Sequence, residues 1–356
     1  MLWLIALPTV LLLISTINFF TIRSPRVDSE IEDSVSVIVP LRNEAENVSG
    51  LVQSLLSQKS LKRVEFIFLD DNSEDETLEF LRLAASGYTN VKIIQGEPLP
   101  SGWIGKSWAL HQLLAASNGT IIVSIDADVR ITPDAISRSI TLMKSSALDF
   151  LSPYPRQIAN TLVERLVQPL LQWSWMTTLQ LRIAEQASFQ SMAVANGQFF
   201  IVRKDSLVLA GGYESVKAAV LDDVFLARAL VKSGAHGVVV NGADIARCRM
   251  YTSWREIKAG YGKSLRHAFG STFGSLCAIL FIILTGIAPL VFALSGSIWG
   301  WLAFALIVGT RILSAIRSRT RVIDSLFHPI SSTLLIYLIV YSYLMRGEIS
   351  WKGRSI

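Results

Sequence analysis

The chain has 356 residues, a hydrophobic share of 51% and a formal charge of +5. The hydrophobic residues gather at the two ends around a middle of ordinary mixed composition, which excludes a plain soluble domain and points to a globular unit flanked by membrane anchors. No dense Lys/Arg tract with interleaved aromatics occurs, which speaks against nucleic acid as a partner. The two cysteines, Cys248 and Cys277, form neither a metal-ligand spacing nor a disulfide framework.

In chain order, Leu2 to Phe20 carries no charge. At about 1.5 Å per residue it nearly spans a bilayer core of about 30 Å. No positive residue precedes it and no small-x-small site ends it, so residues 1–22 read as an uncleaved transmembrane anchor rather than a signal peptide. Arg23 and Arg26 follow at once. The positive-inside rule then places the N-terminus outside and the next domain in the cytoplasm, as for an integral protein of a bacterial inner membrane. An acidic linker, Asp28 to Asp33, leads into the strand Val35–Pro40. Asn43 to Asn47 opens a helix with Val48, Leu51, Val52, Leu55 and Leu56 on one face. A second strand, Val64–Leu69, runs into Asp70-Asp71-Asn72-Ser73, and a helix is expected from Glu74 to Ala85. Val91–Gln95 is a third strand. The loop Ser101-Gly102-Trp103-Ile104-Gly105-Lys106 enters a helix over Ser107–Ala116, and Thr120–Ile125 is a fourth strand. Strand alternating with helix at this spacing predicts an α/β domain with a mostly parallel sheet, over residues 35–265.

Leu162 to Ile183 is apolar and bears Trp173 and Trp175, yet it also holds Glu164, Arg165, Gln168, Pro169, Gln172, Gln180 and Arg182. Such a load is rare in a span. Residues 162–183 therefore read as a helix at the membrane–water boundary, with a core helix as the rival reading. Ala195 to Arg203 reads as a turn into a strand, and Leu221 to Leu230 as a helix opened by Asp222 and Asp223. Basic residues from Arg247 to Arg266 accumulate before the next apolar block; they mark headgroups, a diphosphate or simply the cytoplasmic side. Residues 273–345 form a C-terminal transmembrane region of two to three spans: Phe273–Leu294, bent by Pro289; Ile298–Leu313, whose Arg311 is placed to snorkel; and a weaker Leu326–Met345 carrying His328 and Pro329. Residues 346–356 are a basic tail.

The most informative stretch is Ile121 to Asp128. A β-branched apolar run reads as a buried parallel strand. At its C-terminal end Asp126 and Asp128 project to the same side of extended backbone. Two adjacent carboxylates repel unless a cation lies between them, and oxygen ligands of this kind suit Mg²⁺ or Mn²⁺. In open α/β sheets ligands bind outside the carboxyl ends of strands. A surface turn that happens to carry two Asp is the bland alternative. For Asp222 and Asp223 that alternative is capping, because a helix N-terminus favours negative charge. His111 reads as an ordinary helix residue. Trp103 either stacks on an acceptor or packs, and Asn196 either touches an acceptor or makes a turn with Gly197.

Glu44, Asp70/Asp71, Asp126/Asp128 and Asp222/Asp223 thus stand as four acidic stations along one mixed domain. Four pieces in order resemble the family 2 glycosyltransferases with their nucleotide-sugar-binding GT-A fold: Val37 to Glu44, Leu69 to Ser73, Asp126-Ala127-Asp128 and Leu221-Asp222-Asp223. The resemblance covers Val35 to Lys263. Gly102 to Ala109, Arg249-Met250-Tyr251 and the tail Ile349 to Arg354 are similar to hopanoid-associated and carotenoid-acid glycosyltransferases, and the tail also to ceramide glucosyltransferase. The larger family's Gln-x-x-Arg-Trp string is absent, leaving Arg255 and Lys263 as candidate cations in its place. The resemblance implies an inverting transfer from a UDP-sugar to a membrane lipid. It assigns Pro40, Glu44, Asp70, Asp71, Lys106 and Asp126 to the donor and Asp126 and Asp128 to a divalent metal. It makes Asp223, paired with Asp222, the candidate base; Trp103, Asn196, Arg255 and Lys263 stand as candidates for acceptor or diphosphate contacts beside their structural readings. The rival readings are a processive polysaccharide synthase and a non-catalytic membrane scaffold with a degenerate transferase domain.

Overall fold

The computed structural model describes residues 3–345 and the short strands 350–351 and 354–355. The chain forms two compact units. An α/β unit comprises Arg23–Arg156 and Ile183–Cys248. A helical unit comprises Met1–Ile22, Gln157–Arg182 and Arg249–Ile356.

The α/β unit is built on seven strands: β1 (Ile31–Leu41), β2 (Leu61–Asp70), β3 (Val91–Gln95), β4 (Ile121–Ile125), β5 (Phe150–Tyr154), β6 (Phe199–Arg203) and β7 (Gly237–Asn241). Their order is β3-β2-β1-β4-β6-β5-β7. The pairings β3–β2–β1–β4 are parallel, as the strand–helix alternation predicts. β6 runs antiparallel to both β4 and β5, and β5 is parallel to β7, so the sheet is mixed beyond β4. Every residue of β4, β5 and β7 is buried. Ile38, Ile67, Leu69, Ile122 and Phe150 lie in one core with Leu110 and Leu113 of the helix Gly105–Ala116 and with Leu226 and Leu230 of the helix Asp222–Lys232. The chain reverses its order of addition between β1 and β4. A crevice therefore opens outside their carboxyl ends, where ligands of such sheets bind.

Among the described residues of the helical unit, four helices are long and apolar enough to cross a membrane: Leu4–Thr21, Thr272–Leu294, Ile298–Ser318 and Val322–Leu344. The second contains a π-helical turn at Ile283–Ile287, just before Pro289. The stretch 162–183 is three short helices, Leu162–Val167, Pro169–Thr178 and Leu181–Ala184, rather than one. Glu164, Gln168 and Gln172 of this stretch are buried. Thr161 and Glu164 make a capping box, the Glu164 N–H donating to Thr161 Oγ1 and the Thr161 hydroxyl to Glu164 Oε1 at 2.8 Å. Trp173 and Trp175 are buried, and Trp173 Nε1 donates to Thr310 Oγ1 at 2.8 Å. Tryptophans that suggest a membrane–water boundary in the sequence therefore pack inside this unit. Asn18 spans the gap before Leu181: its Nδ2 donates to the carbonyls of Met176 and Leu179, and its Oδ1 accepts from the Leu181 N–H. Of the basic tail, Ser350–Trp351 and Arg354–Ser355 form an antiparallel pair; Arg346 and Lys352 lie outside the described residues.

One glycine is essential to the edge of the sheet. The Gly119 N–H donates to Ser36 Oγ at 2.7 Å, and a Cβ there would lie 2.5 Å from the Ser36 backbone nitrogen. Gly119→Ala should destabilise the α/β unit by about 1–3 kcal/mol through overpacking. A thermal melt of the full chain in detergent checks this, and an unchanged melting temperature contradicts it.

Candidate active site

The carboxylates of the sequence meet at the carboxyl edge of β4. Asp126 and Asp128 belong to the turn that leaves β4, and the Asp126 N–H donates to the Gln198 carbonyl at 3.1 Å. β6 pairs antiparallel with β4, so the segment entering β6, Asn196-Gly197-Gln198, is carried to the same edge. Asp222 and Asp223 open the helix Asp222–Lys232, where the helix dipole favours them. Asp223 also leaves its own helix: its Oδ2 accepts the Gly197 N–H at 2.8 Å. Lys106, in the first turn of the helix Gly105–Ala116, sets its Nζ 2.7 Å from Asp126 Oδ1 and 2.9 Å from Oδ2. A Cβ at Gly197 would lie 3.3 Å from both Lys106 Nζ and Asp223 Cβ, so the bare backbone there lets these groups converge.

The electrostatics follow from three acids, Asp126, Asp222 and Asp223, around one ammonium, with Asp128 beside Asp126. Burial pushes the Asp126 carboxyl up to about 7; Lys106 opposes this, while the charges of Asp128 and Asp222 add to it. Burial, then the charge of Asp222, lifts Asp223 to about 6 against the pull of Lys106 and of N–H bonds from Gly197 and Val224. Burial works against the Lys106 charge, but Asp126, Asp222 and Asp223 together raise its pKa. Negative charge is in excess, and the donors are hard oxygens, which fits a divalent cation. Among the described residues no three His, Cys, Asp or Glu side chains form a ready ligand set. The chemistry suits an ion of the Mg²⁺ type, which keeps water and substrate phosphate oxygens among its ligands.

The residues expected on the donor side stand at neighbouring strand ends. Pro40 is opposite Leu69 near the end of β1, and Glu44 caps the helix Ala45–Leu56. Asp70 and Asp71 are buried at the end of β2. Arg42 laces the two loops, donating at 2.7 Å to the carbonyls of both Asp71 and Asn72. Asn43 and Asn72 adopt left-handed backbone, with φ of 52° each, and Asn43 Oδ1 accepts the Glu74 N–H. Asp70 also lines an open hollow of about 730 Å³ with Asn72, Ser73 and Gln95. Glu74, Asp75, Glu76 and Glu79 rim it, a charge that repels phosphate. Trp103 joins Trp108 and His111 in an aromatic cluster, with ring centroids 4.9–5.5 Å apart. His111 is thus an aromatic partner of these tryptophans. Asn196 makes the turn its glycine suggested, its Oδ1 accepting the Gln198 N–H at 2.9 Å. Arg255 and Lys263 lie on the helix Trp254–Ala268 of the helical unit.

Three residues of the site are not evident from the sequence. Arg130 Nη1 donates to the carbonyls of Ala127 and Val129 at 2.7 and 2.9 Å, and Nη2 to Asn47 O and Oδ1 at 2.9 and 3.1 Å. Asn47 in turn donates to Glu44 Oε2 at 2.7 Å. One guanidinium thus ties the Asp126–Asp128 turn to the helix that Glu44 caps. Cys248 donates its thiol to Asp128 Oδ2 at 3.0 Å and accepts from Gln198 Nε2 at 3.0 Å. Burial, then the neighbouring Asp128 charge, raises the Cys248 pKa. Only the spacing Asp126-x-x-x-Arg130 hints at the first, and a lone cysteine far along the chain hints at nothing.

Residues 36–208 match the profile described as Glycosyl transferase family 2. The chain is similar to the 4,4'-diaponeurosporenoate glycosyltransferase of Staphylococcus haemolyticus, 25% identical over 270 residues that cover 73% of this chain and 68% of that one. The protein of the same description from Staphylococcus aureus strain USA300 is 24% identical, over 71% and 69%. Among solved structures, the fold is similar to mannosyltransferase PcManGT from Pyrobaculum calidifontis, described in complex with GDP-Man and Mn²⁺. That match has a TM-score of 0.59 and 15% identity over 95% of this chain and 94% of that one.

The Arg130 tie generates a prediction with two arms. Arg130→Lys keeps the charge, but one ammonium does not reproduce a planar fork serving four acceptors; sugar transfer should fall at least about tenfold. A Cβ at Gly50 would lie 2.8 Å from Arg130 Nε. Gly50→Ala normally favours a helix by about 1 kcal/mol. Here it should lower transfer while the melting temperature holds or rises, and full activity in both variants contradicts the tie. On a GT-A-like α/β fold, the chain thus carries over residues 36–208 a domain that matches glycosyl transferase family 2, and these findings support a transferase.

Proposed function

We propose that this enzyme moves a sugar from a UDP-sugar to an acceptor on a membrane lipid, with inversion at the anomeric carbon and with its α/β unit on the cytoplasmic side of a bacterial inner membrane. The observation that carries this reading is the convergence of Asp126, Asp222 and Asp223 on Lys106, with Asp128 beside Asp126, at the strand ends of a chain whose described residues also include four membrane-length apolar helices. Pro40, Glu44, Asp70 and Asp71 are assigned to the nucleoside, and Lys106 and Asp126 to the diphosphate side. Asp126 and Asp128 would hold Mg²⁺ or Mn²⁺, which when bound supplies Lewis-acid stabilisation of a departing diphosphate. The lipid acceptor is supported by the apolar helices and by relatives described as acting on a carotenoid acid, diaponeurosporenoate. The cytoplasmic side is supported by Arg23 and Arg26 after the first span and by Arg317, Arg319 and Arg321 after the third. Arg255 and Lys263 are assigned to phosphate or headgroup contacts.

The chemistry needs one displacement. The Asp223 carboxylate takes the acceptor's proton as the acceptor oxygen bonds to the anomeric carbon. The bond from that carbon to the diphosphate breaks, and its electron pair leaves with the nucleoside diphosphate. Attack from the face opposite the leaving group inverts the centre. Asp222 raises the basicity of Asp223, and the Lys106 ammonium faces the charge that grows on the leaving group. Trp103 offers an aromatic face to the acceptor or its sugar, and Asn196 holds the turn whose Gly197 N–H steadies Asp223.

Membranes carrying the enzyme, given labelled UDP-glucose, UDP-galactose or UDP-N-acetylglucosamine, should yield a lipid bearing a single sugar by mass spectrometry; a ladder of oligomers overturns single transfer. Asp128→Asn and Asp223→Asn should lower the rate by about 10²–10⁴-fold without lowering the melting temperature. Retained activity in either contradicts the assignment. Only the ionised form of Asp223 accepts a proton, so the rate should climb as pH rises through about 6 and level off above it. A rate that declines over that interval rules out Asp223 as the base.

A further inference from the structure

The sequence places Arg311 near the end of a span, ready to snorkel. The helix instead continues to Ser318, which sets Arg311 about 10 Å from its end at about 1.5 Å per residue. The side chain stays inside: Arg311 is 4% exposed. Its Nε and Nη1 reach no acceptor among the described residues. The carboxylate in its neighbourhood, Asp324, is taken by Arg165, whose Nε donates to Oδ2 at 2.8 Å and whose second nitrogen donates to Oδ1. Two guanidinium charges therefore share one carboxylate in an apolar bundle.

The helix His328–Leu344 brings further unpartnered polar groups, with His328 within reach of the Arg311 charge. Arg311 and His328 both lie against the Trp173 ring, at 5.8 and 4.8 Å. His328 is 1% exposed, and its Nδ1 has no partner among the described residues; neither has the buried Ser331 hydroxyl. The π-helical turn Ile283–Ile287 borders this seam: a Cβ on its Gly286 would lie 2.0 Å from Ser332 Oγ and 3.6 Å from His328 Nε2. Such turns are frequent at functional sites. A buried cation without a counter-charge is strongly unfavourable. A guanidinium fork with an imidazole and a hydroxyl beside it matches the oxygens of a carboxylate or phosphate. An ionisable group inside a span points to a site of function.

We propose that the helical unit holds a buried oxyanion site, built on Arg311, His328 and Ser331, for the carboxylate or phosphate head of a membrane amphiphile. The site lies within candidate spans, so its ligand brings an apolar tail. This inference does not rest on the sugar-transfer reading.

The test uses the full chain in nanodiscs of phosphatidylcholine alone, with added oleate, with added phosphatidylglycerol, or with inorganic phosphate in the buffer. The wild-type melting temperature should rise by roughly 5 °C with one of the two anionic amphiphiles, because a ligand that binds only the folded state stabilises it. Oleate acting alone identifies a carboxylate site, and phosphatidylglycerol acting alone a phosphodiester site. Inorganic phosphate should do nothing; an equal rise with it contradicts the amphiphile. Arg311→Met removes the uncompensated charge, so it should melt no lower than wild type in phosphatidylcholine and should lose the response. Arg311→Lys should keep part of it. A wild-type melting temperature equal in all four conditions overturns the proposal. So does an Arg311→Met protein that still responds, or one that fails to fold in phosphatidylcholine, the result expected if Arg311 served only to brace Trp173.

Discussion

Three carboxylates, Asp126, Asp222 and Asp223, held around one ammonium, with Asp128 beside Asp126, are the constraint on which the α/β unit is organised. Water would screen such a cluster; the carboxyl edge of a buried sheet does not. The consequence is visible in the acids themselves, with Asp126 lifted to about 7 and Asp223 to about 6 by burial and mutual repulsion. The fold maintains this arrangement by backbone geometry more than by the side chains concerned. The β4–β6 pairing carries Gly197 to Asp223, the first turn of one helix presents Lys106, and the first turn of another presents Asp222 and Asp223. An arrangement that is unfavourable when empty is suited to a substrate that arrives with phosphate and a cation.

Arg130 and Cys248 extend this view. Neither belongs to the four acidic stations, yet each is bonded to the turn that carries Asp126 and Asp128. Arg130 links that turn to Asn47, and Asn47 links to Glu44. The loop that carries Glu44 and the turn that carries Asp126 and Asp128 thus share hydrogen bonds instead of standing as separate motifs.

Much of the α/β unit was legible in the sequence because its strands are β-branched runs that end in polar turns. Val91–Gln95 forms as expected, and the helix after Trp103 begins at Gly105, two residues before the periodicity suggested. The antiparallel strand Phe199–Arg203 read only as a strand, since periodicity carries no direction. The stretch 162–183 was the harder case. Its charged residues look out of place for a membrane, and the reason lies in distant partners: Arg249 for Glu164 and Asp324 for Arg165. The same holds for Arg130, whose four acceptors are backbone and amide groups that no spacing rule marks. Local pattern shows where a chain bends and what it buries; it does not show which long side chain spans the gap between two loops.

The central claim is that the acidic cluster is completed by a divalent cation and a nucleoside diphosphate together. Calorimetric titration of the purified enzyme with UDP, with Mn²⁺ present and then after chelation, tests it most directly. The account predicts that UDP binds at least about tenfold more tightly with Mn²⁺, and that Asp128→Asn abolishes the difference. Equal affinity for UDP in chelator and in Mn²⁺ would contradict it.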